Sequence, residues 1–439
     1  TSRAKIIMNL FAERNTRIDT ENAFKIGPHI ARVERQKNAV IKLNLGEPDF
    51  SVPKHIKEEI KLQLDMDNTH YCDPKGILSL RKSISNQINK TRDLKTNPEQ
   101  VVVFPGGKTP IGFAQQVYCE PGDEVIYPSP GFPIYESFIN YVRAVPVPLH
   151  LEESANFTFS PEQLLTLISP RTKIIFLNFP SNPTGSIAGQ ELLEETAQVI
   201  LAHCDPNVRV FSDEIYENII FEGKQHYSIS SVPEMAKRTI IAGGFSKTYS
   251  WTGGRIGYAV FPTVREANVF KNMNINYFSC VPPYNQHAAS VAIESPLSKV
   301  EVKKMVETFE ARRNLIWSQI NKISGITCQK PGGAFYLFPN ISGVCENLGL
   351  LERHQLLRGD DQSSPANIFQ MFALYEHQVA VLDRKSFGQI GADGKHFLRL
   401  SIAADQSILE EGVRRIKSAS EDLTGLEKFL NERPDQLPP

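Results

Sequence analysis

Between Val101 and Pro262, short continuous apolar runs alternate with amphipathic stretches. The runs are Val101–Phe104, Val125–Tyr127, Lys173–Leu177, Val208–Phe211, Thr239–Ile241 and Ile256–Val260. Apolar runs this short, without polar alternation, predict strands buried on both faces. Helical patterns such as Gly189–His203 lie between them. The strand–helix–strand order predicts an α/β fold, a mainly parallel sheet flanked by helices. Such sheets bind ligands at the carboxyl ends of their strands. After Pro262 charged helical stretches dominate (Lys299–Ile320, Gln406–Leu430), with strand-like pieces such as Ala334–Leu337. This predicts a second, smaller α+β domain built from both termini. The expected boundaries are 1–47 for the N-terminal segment, 48–298 for the large domain and 299–439 for the small one. Gly359–Pro365 reads as a polar loop.

Composition narrows the class. A chain of 439 residues is too long for one small core, which favours two domains. Lys plus Arg is 48 and Asp plus Glu is 49, a net charge of −1. That balance argues against a nucleic-acid-binding or polybasic membrane surface. No apolar run reaches the roughly 18 residues of a membrane span. No secretory apolar segment follows Thr1–Lys5, and the opening on Thr1 points to a processed or trimmed chain. The six cysteines form no Cys-x-x-Cys pair and the ten histidines no ligand-spaced cluster, so no metal site is expected. Reduced thiols in a cytoplasmic enzyme are expected.

The candidate chemistry sits just after the strand-like runs. Lys247, in Gly244-Phe245-Ser246-Lys247-Thr248-Tyr249, follows Thr239–Gly243. A lysine there, among small residues, can form a Schiff base with a carbonyl. Arg255, eight residues on, can hold a phosphate with its fork of donors. Together they suggest pyridoxal 5'-phosphate, held by aldehyde and phosphate at once. Asp213, after Val208–Phe211, suits a carboxylate that keeps a pyridine nitrogen protonated, or a helix N-cap. Tyr216 can donate to a phenolic oxygen. Asn182 sits on a rigid turn, Asn178-Phe179-Pro180-Ser181-Asn182-Pro183-Thr184-Gly185, and can bond a ring hydroxyl or simply form a loop. Gly106 and Gly107 precede a helix and allow backbone N–H groups to approach a phosphate. The following Lys108-Thr109 invites a nucleotide-binding reading, but the required earlier glycine is Val102. Phe132 can stack on a planar ring or fill the core. Arg399, in an apolar run, needs an anion: a substrate carboxylate or a structural ion pair.

The order and spacing of these motifs resemble the class I/II aminotransferases, fold-type I pyridoxal-phosphate enzymes, and most closely the prokaryotic-type aspartate aminotransferases. The resemblance covers about Leu43 to Ile416. It is carried by Asn44–Phe50, Tyr71–Gly76 with Leu80-Arg81, Asn182–Gly185, Ser212–Tyr216, Ser246–Thr248, Gly253–Gly257, Pro331–Tyr336 and Arg399–Ser401. By this resemblance Lys247 anchors the cofactor and shuttles the proton, and Asp213 pairs with the ring nitrogen. Tyr216 and Asn182 contact the ring oxygen, Phe132 stacks on the ring, and Arg255 with Gly106 and Gly107 holds the phosphate. Arg399 takes the substrate α-carboxylate, helped by Gly46. Tyr71 reaches the neighbouring subunit's phosphate, which implies a homodimer with a shared active site. Gly244 stands where many relatives carry a phosphate-binding serine, so Ser246 is the substitute. Gly254 stands where many carry Trp, and Phe132 where Trp or Tyr is usual. Lys108 is the candidate partner of a distal substrate carboxylate and of the cofactor's surroundings, and Arg384 a second anion contact. Both are also readable as solvated surface charges.

The expected reaction is transamination between an L-amino acid, best an acidic one such as aspartate, and a 2-oxo acid such as 2-oxoglutarate. The alternatives are an aromatic or neutral amino donor, a β-eliminating lyase of the same fold, and a non-catalytic regulatory module.

Overall fold

The structure is a computed structural model that describes residues 10–36, 39–357 and 363–432. Its centre is a seven-stranded sheet. A short strand β1 (Ile41–Lys42) precedes it. The sheet comprises β2 (Val101–Phe104), β3 (Glu124–Ser129), β4 (Val145–His150), β5 (Thr172–Asn178), β6 (Arg209–Asp213), β7 (Thr239–Gly244) and β8 (Gly257–Val260). They lie in the order β2-β8-β7-β6-β5-β3-β4. Pairs from β4 through β7 are parallel, whereas β8 runs antiparallel to both neighbours. The six expected strands are all present. Their central residues are apolar and buried because helices cover both faces of the sheet.

The seventh strand, β4, has the sequence Val145-Pro146-Val147-Pro148-Leu149-His150 and gave no strand signal. Proline cannot donate to a ladder, which is why this strand lies at the sheet edge, paired only with β3.

The remaining strands are β9 (Tyr336–Leu337), β10 (Val379–Ala380), β11 (Leu382–Asp383) and β12 (Leu398–Ser401). β11, β12 and β9 form an antiparallel sheet, and β10 pairs in parallel with β1. That last pairing docks the amino-terminal segment onto the carboxyl-terminal part. The helix Gly27–Gln36 joins the same core through Ile30 and Val33, beside the helix Pro365–His377. The charged stretch expected at Gln406–Leu430 is two helices, Gln406–Glu421 and Leu423–Glu432. They break at Asp422, whose carboxylate accepts the Gly425 N–H at 2.8 Å. Of the expected polar loop, Gly359–Gln362 lies outside the described residues; Ser364 caps the helix that Pro365 begins.

Under the site-bearing edge of the sheet lies a buried ion cluster. Arg92 donates from Nε to Glu214 at 3.0 Å and from Nη2 to both Glu214 and Glu217. Burial opposes ionisation of Glu214, and the guanidinium of Arg92 outweighs it, holding this carboxyl well below the usual range. Removing one partner of such a pair strands the other charge. We therefore expect Arg92→Met to destabilise the fold by about 3 kcal/mol and Arg92→Met/Glu214→Met to recover most of that loss, measured by denaturant unfolding.

Candidate active site

The carboxyl ends of β2, β5, β6 and β7 open into one cavity of about 560 Å³. Short turns from these strands carry the candidate residues inward. Gly107 and Lys108 come from the turn after β2, and Phe132 lies beyond β3. Asn182 follows β5, Asp213 ends β6, Tyr216 follows it, and Ser246 and Lys247 follow β7. Arg255 precedes β8, whose reversed direction brings its amino end to the same edge. Gly46 and Arg399 enter from the other sheets. Eleven residues singled out from the sequence thus line a single space.

The Nζ of Lys247 donates to the Gly46 carbonyl at 2.6 Å. Burial lowers its pKa to about 8, and the Arg399 charge adds to the effect, opposed by Glu21 and Glu47. Asp213 is buried, and Tyr135 donates its hydroxyl to Oδ2 at 2.7 Å. Burial raises its pKa to about 6 against that hydrogen bond. The residues after Asp213 form a turn, so it caps no helix. The Tyr216 hydroxyl lies 2.7 Å from that of Tyr336. The Asn182–Pro183 bond is cis.

Arg399 is 4% exposed. It donates to Asn182 Oδ1 at 2.9 Å and to the Asn44 carbonyl at 2.6 Å. Its guanidinium lies between the rings of Tyr336 (4.5 Å) and Phe387 (4.8 Å). Its Nε is buried without a partner, and among the described residues no carboxylate pairs with it. The structural ion pair is therefore not the explanation of this buried cation.

Two cradles depend on glycine. A Cβ on Gly46 would stand 2.2 Å from the Tyr336 hydroxyl, and one on Gly106 would stand 2.1 Å from Arg255 Nη2. The exposed Arg255 guanidinium thus lies directly over the Gly106–Gly107 turn, next to the start of the helix Thr109–Tyr118. This is a suitable seat for a phosphate. Trp251 packs its indole against Gly254, where a Cβ would stand 2.2 Å from the indole nitrogen.

Two expectations fall outside the cavity. Tyr71 is 86% exposed and away from this chain's cavity. Arg384 is corrected: it is neither a substrate contact nor a solvated charge. It is 1% exposed and donates to Ser129 Oγ at 2.9 Å and to the Gly388 carbonyl at 2.8 Å. It is consumed in pinning its own 3₁₀ turn, Arg384–Phe387, to the end of β3.

Lys108 lies at the mouth of the cavity, with its Nζ on Glu21 Oε1 and near the rings of Phe24 (5.9 Å) and Phe132 (5.6 Å). Glu21, Phe24, Tyr135 and Tyr336 were not anticipated as site residues. Tyr336 ends a motif already recognised, Pro331–Tyr336, and an aromatic beside a glycine pair was the available signal. Glu21 and Phe24 offered none, being far from any strand end.

An amine, a buried carboxylate, a guanidinium over a glycine turn and a second, buried guanidinium define a site for carbonyl–amine chemistry on a small anionic substrate. The donor set fits a phosphorylated aromatic aldehyde, and a cavity of this size holds a molecule of that class. The family of class I and II aminotransferases matches residues 38–416. The chain belongs to that family and is a pyridoxal-phosphate-dependent transferase of fold type I. It is 32% identical to the aspartate aminotransferase of Pyrococcus abyssi, over 86% of this chain and 91% of that one. It is also 32% identical to aromatic-amino-acid aminotransferase 2 of Thermococcus litoralis, with the same coverage. The crystal structure of the aspartate aminotransferase from Rhizobium meliloti superposes with a TM-score of 0.84 at 29% identity, over 94% of this chain and 99% of that one.

The folded-state pKa of Lys247, about 8, lies below the ordinary lysine value of 10.5. The folded chain then binds fewer protons between those values, so this group's contribution to stability rises with pH across that window. In cofactor-free protein, reductive methylation of Lys247 followed by peptide mass spectrometry should show a midpoint near pH 8. A midpoint in the ordinary lysine range contradicts the assignment.

Proposed function

We propose that this chain transfers the amino group of an acidic L-amino acid, aspartate first, to a 2-oxo acid such as 2-oxoglutarate. The observation that carries this reading is that Arg399 and Lys108 line the same cavity as Lys247. Two cations so placed suit a dicarboxylate, with Arg399 on the α-carboxylate and Lys108 on the distal one. Pyridoxal 5'-phosphate, when bound, supplies the carbonyl that takes the amine and a ring that accepts electrons.

The chain's own residues do the rest. Arg255 and the Gly106–Gly107 backbone would hold the phosphate, with Ser246 as a further donor. Asp213 would pair with the ring nitrogen, and a cation there would keep its carboxyl ionised despite burial. Tyr216 and Asn182 would contact the ring oxygen, and Phe132 would cover the ring. Gly46 leaves room for the substrate carboxylate beside Tyr336. Lys247 Nζ, depressed in pKa, is neutral in a useful fraction and accepts the Cα proton before returning it. Tyr71, exposed on this chain, serves the site of a second copy, which makes the functional unit a homodimer. The six cysteines are free, in keeping with a cytoplasmic setting. Among the described residues no helix is long and apolar enough to cross a membrane.

A second reading, an aromatic donor, is favoured by Phe24 and Phe132 beside Lys108. Titrating loaded protein with L-aspartate, and separately with L-phenylalanine, in the absence of any oxo acid separates the two. We expect aspartate to bleach the cofactor's visible band with release of an oxo acid. Lys108→Met should slow that half-reaction more than about tenfold, and Lys247→Ala should cut turnover by about a thousandfold. A band unmoved by any amino acid contradicts transamination. Equal rates for Lys108→Met and the parent with aspartate contradict the acidic donor.

A further inference from the structure

Lys108 already has a carboxylate partner inside its own chain. Glu21, on the segment leading into the short helix Asn22–Lys25, reaches across the cavity mouth and accepts from Lys108 Nζ. The pair lines the same cavity as Lys247 and Arg399. Glu21 is the more enclosed of the two, its side chain 16% exposed against 43% for Lys108. It is also close enough to Lys247 for its charge to favour the protonated amine there. Around the pair stand the rings of Phe24 and Phe132.

We propose that Glu21 is a specificity-determining residue: a built-in counter-ion that lets one site accept both acidic and aromatic side chains. The argument rests on the reading of Lys108 as the contact of a distal carboxylate. A lone lysine facing an apolar side chain is penalised when water leaves the site, and this is how a cation rejects neutral substrates. Glu21 removes that penalty by staying on Lys108 while an aromatic side chain lies between Phe24 and Phe132. A distal carboxylate does the opposite, competing with Glu21 for the same ammonium. The internal carboxylate therefore eases aromatic binding and taxes acidic binding. Because Lys108 is partly exposed, each effect is modest, about three- to fivefold, as expected for a solvated ion pair.

Two ligands without an amino group read this directly in loaded protein: maleate, a dicarboxylate, and 3-phenylpropionate, its aromatic counterpart. Their dissociation constants are measured by spectral titration for the parent, Glu21→Gln, Glu21→Asp and Lys108→Met. Glu21→Gln should tighten maleate and weaken 3-phenylpropionate, moving their ratio about tenfold towards the dicarboxylate. Glu21→Asp, which keeps the charge, should stay nearer the parent. If Glu21→Gln moves both ligands alike, or neither, with an unchanged melting temperature, the counter-ion role is overturned. Lys108→Met tests the underlying reading separately. It should weaken maleate, and unchanged maleate binding would sink the acidic-donor assignment itself.

Discussion

The buried guanidinium of Arg399 is the constraint around which the cavity is arranged. A cation this enclosed costs several kcal/mol unless neighbours replace the water it has lost. The fold supplies two carbonyl acceptors, from Asn182 and Asn44, and two ring faces, from Tyr336 and Phe387. None of these carries a negative charge, and Nε has no partner. The arrangement is stable enough to hold the cation but leaves it short of an anion, the condition for binding a carboxylate well. It also couples the two ends of the chemistry. The Arg399 charge helps depress the pKa of Lys247, so on the proposed reading the substrate's carboxylate contact also helps ready the amine.

Those neighbours come from distant parts of the chain. Asn182 follows β5 of the large sheet, Asn44 follows β1, and Arg399 lies on β12. The parallel pairing of β1 with β10 brings the amino-terminal segment into place, and the site is complete only when both parts are assembled. Adjacent carboxylates at the end of β6 show how local this control is. Asp213, with only a tyrosine and a backbone donor, is raised by burial to about 6. Glu214, on the other side of the backbone, meets Arg92 and is held well below the usual range. One side chain is left responsive to a cation in the cavity while its neighbour is spent on the fold.

Much of this was legible in the sequence, for a physical reason. Strands covered on both faces leave largely apolar runs, and ligands gather at their carboxyl ends, so Lys247, Asp213, Asn182 and Gly107 could be read as candidates, each ambiguous alone and persuasive only together. Strand β4 was not legible, because Pro146 and Pro148 are tolerated only where one side of the ladder is open. Arg384 misled because a charged residue in a polar-looking turn reads as exposed, whereas carbonyls of that turn and Ser129 absorb its donors. Glu21 was invisible for a different reason. Its partner Lys108 lies 87 residues away, and their meeting depends on the path of the amino-terminal segment over the cavity, which no local pattern encodes.

The most direct test of the account is to trap the cofactor on the protein. Pyridoxal 5'-phosphate is added, the mixture is reduced with borohydride, and the digest is mapped by mass spectrometry. One stoichiometric phosphopyridoxyl group is expected, on Lys247, with none on Lys108. A label spread over surface lysines, or absent from Lys247, would contradict it.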